Sequence, residues 1–218
     1  MTQQSILFLN GKIDLDFCER YISNNHTDLP IVCADGSFNK IQQSEKLYSK
    51  LIKVIGDFDS TACLDDERFE IDRNQDTTDF EKCLDYLIKN RCERVFVFGA
   101  SEGEMDHFIG NVSTALRYDK KIAIEFIDAY SRYFFITNDF SINDVKGKMF
   151  SAMPFGVAEN IHYNGLKYPL NGQSMALGGM LGTRNYAVKD TVDISFAKGN
   201  ILLFISHNNY KDRTNEVL

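Results

Sequence analysis

The hydrophobic pattern of the chain changes character near residue 138, and that change limits the folds open to it. Before it, short apolar runs alternate with stretches of helical spacing. The runs at 5–9, 30–33, 51–55, 68–71, 95–98, 121–127 and 133–137 read as strands. Leu15, Cys18 and Ile22 fall at helical spacing over 14–23, and a helix is expected within 38–47. Phe80, Leu84, Leu87 and Ile88 mark one face of a helix over about 77–89, with Thr78 and Glu81 fitting a capping box. A further helix is predicted from near Asp106 to Arg117. Alternation of this kind means βαβ units and a mostly parallel sheet. After 138 no helix of useful length is visible. Short β-like stretches at 148–153, 157–163, 185–196 and 200–205 are punctuated by turn signals such as Asn164-Gly165 and Asn171-Gly172. The expected organisation is α/β: a mostly parallel sheet with flanking helices over 1–137, then a smaller all-β sandwich or barrel over 138–218.

Composition narrows the function. With 44% hydrophobic residues in 218, the chain can bury a real core. A net charge of -7 argues against a general nucleic-acid binder or a polybasic membrane surface. Any phosphate ligand must then be held by a metal and a few local cations. No stretch approaches a membrane span, and Met1-Thr2-Gln3-Gln4 lacks the basic start of a signal peptide. Cys18, Cys33, Cys63, Cys83 and Cys92 are odd in number and form no CxxC pair. Buried thiols in a reducing cytoplasm are the natural reading.

In a parallel α/β sheet, ligands bind beyond the carboxyl ends of the strands. Polar residues collect there. Asn10 follows the first strand, Asp35 the second, and Asp57 and Asp59 the third, just past Gly56. Gln75, Asp76 and Asp79 follow the fourth; Asp106, His107 and Asn111 follow the fifth. If the third strand stays extended to residue 59, Asp57 and Asp59 share one side. Two carboxylates so placed would repel, and Mg2+, which takes one or two carboxylates plus substrate phosphates, relieves that. The alternative for this stretch is an Asp-rich turn capped by Ser60. The residues alone lead as far as a Mg2+-dependent phosphate enzyme.

Four segments then carry a resemblance. Asp35-Gly36-Ser37-Phe38-Asn39 looks like an Asp-Gly-Gly-Ala-Asn segment, and Gly56-Asp57-Phe58-Asp59-Ser60 matches Gly-Asp-Phe-Asp-Ser. Gln75 to Lys82 contains Asp-x-Thr-Asp-Phe-x-Lys, and Asp106-His107 with Asn111 looks like the end of a Gly-Gly-Arg-x-Asp-His element. In this order and spacing they resemble thiamine pyrophosphokinases. Gly165 to Leu170 and Gly182-Thr183-Arg184-Asn185 are similar to that family's thiamine-binding domain.

The resemblance implies a homodimer with its active site shared between subunits. It implies transfer of the diphosphate of ATP to thiamine, giving thiamine diphosphate and AMP. Asp57, Asp59 and Asp79 fall where the family binds Mg2+, with Asp35 and Asp106 nearby. Gln75 and Thr78 fall beside the nucleotide phosphates, with Lys82 and Asn111 on the same side. Arg184 and Asn185 lie in the segment that meets thiamine. Departures are Glu104 where the family usually has arginine, Arg184 where it has serine, and the absence of Trp, so that a ring stacking on thiamine must be Tyr or Phe. Two other outcomes stay open. One is a related metal-dependent phospho- or nucleotidyltransferase with another acceptor; the other is a non-catalytic relative that holds nucleotide or thiamine.

Overall fold

The structure is a computed structural model and describes residues 3–58 and 66–210. It divides into two compact units, Met1–Ala129 and Tyr130–Leu218.

In the first unit the elements are β1 (Gln4–Phe8), α1 (Leu15–Asn25), β2 (Ile31–Ala34), α2 (Asp35–Ile41), α3 (Glu45–Tyr48) and β3 (Leu51–Gly56). They continue with β4 (Phe69–Ile71), α4 (Asp79–Lys89), β5 (Arg94–Phe98), α5 (Met105–Tyr118) and β6 (Ala123–Ile127). The strands run parallel in the order β6-β5-β1-β2-β3-β4. Sheets of this kind are covered on both faces, so their strands read as continuous apolar runs. Ile6, Phe8, Ile31, Cys33, Val54, Phe96 and Phe98 pack with Cys18, Ile22, Phe38 and Ile41 on one face. Phe80, Leu84 and Leu87 of α4 are buried as well, and α4 packs against β2 and β3.

Helix starts follow local chemistry. Asp14 caps α1 by accepting from the Phe17 N–H, and Ser44 caps α3 by accepting from the Leu47 N–H. The helix expected within 38–47 is therefore two short ones, broken where Ser44 starts the second. The capping box of α4 is complete: the Thr78 hydroxyl accepts from Glu81 N while the Glu81 carboxylate accepts from Thr78 N.

The second unit holds β7 (Ser131–Ile136), β8 (Asp139–Ile142), β9 (Lys148–Pro154), β10 (Val157–Asn164), β11 (Asn171–Ala176), β12 (Gly182–Tyr186), β13 (Val192–Ser195) and β14 (Ile201–Asn209). Its strands run β12-β9-β14-β7 in one sheet and β11-β10-β13-β8 in the other, all antiparallel. Both sheets feed one core, with Phe150, Leu203 and Ile205 from the first and Ile161, Met175 and Ile194 from the second. This is a β-sandwich.

The division falls at 129/130, not at the expected 137/138. Strand β7 pairs with β14 along its whole length, from Ser131 opposite Ser206 to Ile136 opposite Ile201. That long-range pairing carries it into the second unit. The stretch 185–196, expected as one strand, is β12 and β13 in different sheets.

Candidate active site

Strand β1 lies between β2 and β5, so the chain leaves it in one direction toward β4 and returns to its other side. Crevices form outside strand ends at such a reversal. A cavity of about 530 Å³ opens there. Asn10 lines it from the end of β1, Asp35 from β2 and Asp57 from β3. Gln75, Thr77, Thr78, Asp79 and Lys82 line it from the approach to α4 and its first turn, and Asp106, His107, Gly110 and Asn111 from α5. Of the strand-end residues expected in the first unit, Asp76 does not line the cavity, and Asp59, with Ser60 and Cys63, lies outside the described residues.

The strand ends are fitted to each other through glycine. A Cβ on Gly36 would stand 2.4 Å from Asn10 Nδ2, and one on Gly56 would stand 2.4 Å from Asp35 Cγ. Each glycine makes room for the polar side chain ending the neighbouring strand.

Asp35 is almost fully buried and accepts from the backbone N–H groups of Gly36 (2.5 Å) and Phe58 (2.7 Å). Burial pushes its carboxyl above the ordinary range, and the charges of Asp79 and Asp57 push it the same way; the two N–H bonds oppose them. Phe58 reaches Asp35 because its φ is 61°, in the left-handed region. Extension therefore ends at Gly56 and does not continue through 58, which removes the expected reason for Asp57 and Asp59 to share a side. The Phe58 ring meanwhile packs on Phe69, with centroids 5.6 Å apart.

The other carboxylates are oriented too. Gln75 Nε2 donates to Asp57 Oδ2 at 3.2 Å. Lys82, its side chain only 4% exposed, reaches Asp79 Oδ1 at 3.1 Å. Asp79 lines the cavity, and Glu81, two residues on, is buried. The Thr78 hydroxyl is committed to the capping box, donating to Glu81 Oε2 and accepting from Glu81 N. Asp106 is not the cap of α5. Glu104 holds that position, and Asp106 sits in the first turn, accepting from the His107 N–H. Glu104 is well exposed, 3.7 Å from His107 Nε2. Asn111 Nδ2 donates to the Ala100 carbonyl. Thr77 and Gly110 line the cavity without having been singled out in the sequence; each adjoins a charged or amide residue that was.

Among the described residues, no three His, Cys, Asp or Glu side chains gather closely enough to hold a metal unaided. Asp35, Asp57 and Asp79 are nonetheless hard oxygen donors, and Asp35 feels the charges of the other two. Such a set suits Mg2+, which completes its shell with water and phosphate oxygens.

Arg184 and Asn185 belong to the second unit. Arg184 is exposed at a bulge in β12, with φ 55° and its N–H bonded to Ser151 Oγ. Asn185 is buried. Its Nδ2 donates to the Tyr168 carbonyl at 2.7 Å and its Oδ1 accepts from Tyr168 N at 3.0 Å. The amide thus closes a ring on the backbone of Tyr168, and its Oδ1 also accepts from Tyr186 N at 2.9 Å. Tyr168 itself is 62% exposed. Its ring meets Tyr186 edge-on, and Tyr186 stacks on Tyr210 at 5.3 Å. No helix among the described residues is long and apolar enough to cross a membrane.

Comparison with known proteins matches both units. Residues 21–126 match the family model "Thiamin pyrophosphokinase, catalytic domain", and residues 137–201 match "Thiamin pyrophosphokinase, vitamin B1 binding domain". A thiamine pyrophosphokinase of Bacillus subtilis is 30% identical over 171 residues, 71% of this chain and 78% of that protein. Thiamine pyrophosphokinase 1 of Oryza sativa subsp. japonica is 25% identical over 195 residues, covering 75% of this chain and 74% of its own. The crystal structure of thiamin pyrophosphokinase from Geobacillus thermodenitrificans shares the fold, with TM-score 0.78 at 21% identity over 95% of this chain and 99% of that one. With both units matched and that degree of identity, the chain belongs to the thiamin pyrophosphokinase family of enzymes.

Proposed function

We propose that the enzyme transfers the diphosphate of ATP to thiamine, releasing AMP, and that it needs Mg2+ to do so. The observation that carries this reading is the convergence of Asp35, Asp57 and Asp79 on one cavity at the strand ends. The thiamine hydroxyl oxygen forms a bond to the β-phosphorus while the bond from that phosphorus to the oxygen shared with the α-phosphate breaks. The hydroxyl proton goes to a carboxylate of the site. Such transfers need mainly positioning and charge neutralisation. Mg2+, when bound, supplies that neutralisation on the phosphate oxygens.

The chain's own residues do the rest. Asp57 and Asp79, with Asp59 beside them in sequence, would hold the ion. Gln75 fixes the rotamer of Asp57. Lys82 fixes that of Asp79 and adds a cation to a strongly acidic wall. Asp35 is tied down by two N–H bonds and shapes the acidic floor. Asp106 and Asn111 present polar groups from α5 to the nucleotide.

On the acceptor side, Tyr168 is the candidate ring for thiamine, with Asn185 holding its backbone. A cationic thiazolium over an aromatic face is a favourable pairing. We read the active form as a homodimer with a shared site, on the strength of the resemblance carried by the four motifs. The described cysteines are buried and form no disulfide, as thiols of a protein in a reducing cytoplasm would be. A related acceptor is the second reading, favoured by Arg184 on its exposed bulge. AMP release from ATP, measured with and without thiamine and followed by chromatography of the product, tests the proposal. Thiamine-dependent AMP with thiamine diphosphate is expected. ATP bound but never cleaved, under any acceptor, would mark a binding protein instead.

A further inference from the structure

Two helices form much of the cavity wall, and they are anchored differently. Helix α4 presents Thr78 and Asp79 from its first turn. Helix α5 presents Asp106 and Asn111 from its N-terminal half, which is largely exposed, while its buried residues, Val112, Thr114, Ala115 and Tyr118, all lie toward its C-terminus. Its working end is therefore a projecting arm whose direction is set by the anchoring of the other end.

One side chain connects the two. The Glu81 carboxylate accepts from Thr78 N at 2.9 Å and from the Thr78 hydroxyl at 3.0 Å through Oε2. Through Oε1 it accepts from Arg117 Nη2 of α5 at 2.5 Å. Arg117 Nη2 also lies 3.3 Å from the hydroxyl of Thr114, one turn earlier in α5. Glu81 is 7% exposed, so little water competes for these oxygens. Charge-assisted hydrogen bonds are shorter and stronger than neutral ones, although the Arg117 end of this pair, 59% exposed, is screened by water. A glutamate serving only as a cap would need neither burial nor a partner on another helix.

We propose that Glu81 is a positioning residue: its single carboxylate fixes the first turn of α4, with Thr78 and Asp79, and through Arg117 fixes the arm of α5 that carries Asp106 and Asn111. The inference rests on the function proposed above. It assigns Glu81 no contact with substrate. What it sets is the distance between two walls, and positioning errors of about 1 Å can cost on the order of a hundredfold in rate.

Arg117→Met separates this role from simple capping. It leaves the box between Thr78 and Glu81 in place, and the Arg117 side chain is 59% exposed, so the fold should survive. Glu81→Gln keeps an acceptor for Thr78 but removes the charge facing Arg117. Tyr118→Phe is the matched control: it deletes another bond between the same helices, from Tyr118 to Asp85 at 2.9 Å, without touching the cap. Each variant is assayed for kcat, both KM values, the Kd of AMP and thermal midpoint. We expect kcat to fall about tenfold in Arg117→Met and in Glu81→Gln, with the Kd of AMP weakened, and Tyr118→Phe to lose stability alone. Arg117→Lys should recover part of the loss. Values of kcat and Kd within about twofold of the parent in both variants, with only the midpoint lowered, would overturn the role of Glu81. A parent chain that forms no thiamine diphosphate would instead overturn the function on which the inference rests, and the inference with it.

Discussion

Gly56 and Asp35 occupy interlocking positions: the space a Cβ on the glycine would take is filled by the aspartate carboxyl, 2.4 Å away. The carboxyl uses that space to reach the Phe58 N–H. Gly56→Ala should displace Asp35, break that bond and disturb the floor of the cavity. Overpacking of this kind costs about 1–3 kcal/mol. Urea unfolding should show that loss, and turnover should fall further than the stability change explains. An alanine variant with parental stability would mean that the strand ends yield more easily than their packing indicates.

Asp57 and Asp79 should differ when neutralised. Asp57 has an uncharged partner, Gln75, so Asp57→Asn should abolish turnover and leave stability near the parental value. Asp79 faces the buried ammonium of Lys82. Breaking a fully buried pair costs roughly 3–5 kcal/mol, but Asp79 is partly exposed, so Asp79→Asn should cost about 1–2 kcal/mol in addition to turnover. Paired measurements of activity at limiting Mg2+ and of unfolding midpoint check both. Full activity of either variant at limiting Mg2+ would remove its carboxylate from the ion.

Asn185→Ala strips partners from both backbone groups of Tyr168. Unpaired groups that are fully buried cost about 1–3 kcal/mol; these two bonds are only part-buried, so the loss of stability should be smaller. We expect a higher KM for thiamine with the KM for ATP unchanged, because the defect is confined to the second unit. Tyr168→Phe should retain most acceptor binding and Tyr168→Ala should lose it. Equal shifts in both KM values would contradict this.

The carboxyl of Glu81 gives the enzyme an acid limb. Burial raises it, but the bonds from Thr78 and Arg117 outweigh burial and hold it below the ordinary value of 4.5. A carboxylate lowered in the folded state contributes stability that is present above the unfolded value and lost as pH falls through the folded one. The parent should therefore lose thermal midpoint more steeply below about pH 4.5 than Glu81→Gln does. Parallel curves for the two proteins across that range would show that Glu81 carries no such linkage.

Much of this was legible in the sequence because it depends on neighbours a few residues apart. The capping box of α4 needs only Thr78 and Glu81, and the polar strand ends at Asn10, Asp35 and Asp57 follow from where apolar runs stop. What the sequence did not show depends on partners far along the chain. Glu81 reads as a cap alone until Arg117, on another helix, takes its second oxygen. Asn185 reads as a ligand contact, and its bonds to the backbone of Tyr168 have no signal in the sequence around it. The left-handed turn at Phe58 is favoured by an acceptor on a different element, Asp35 at the start of α2, and not by the residue type. The unit boundary moved because β7 finds its partner in β14, which begins at Ile201.

Strand β1 is the first of the described strands, yet its longer pairing is with β5, from Gln4 opposite Arg94 to Phe8 opposite Phe98. During synthesis it can find β2 early, but its other edge stays open until the residues of β5 have emerged. Contacts of that sequence separation close slowly, and an open apolar edge is a liability while it waits. The growing chain therefore carries β1 with one edge open through the making of nearly half its length. Truncations ending before β5 should aggregate rather than fold, and the same reversal of strand order that creates the crevice is what imposes the delay.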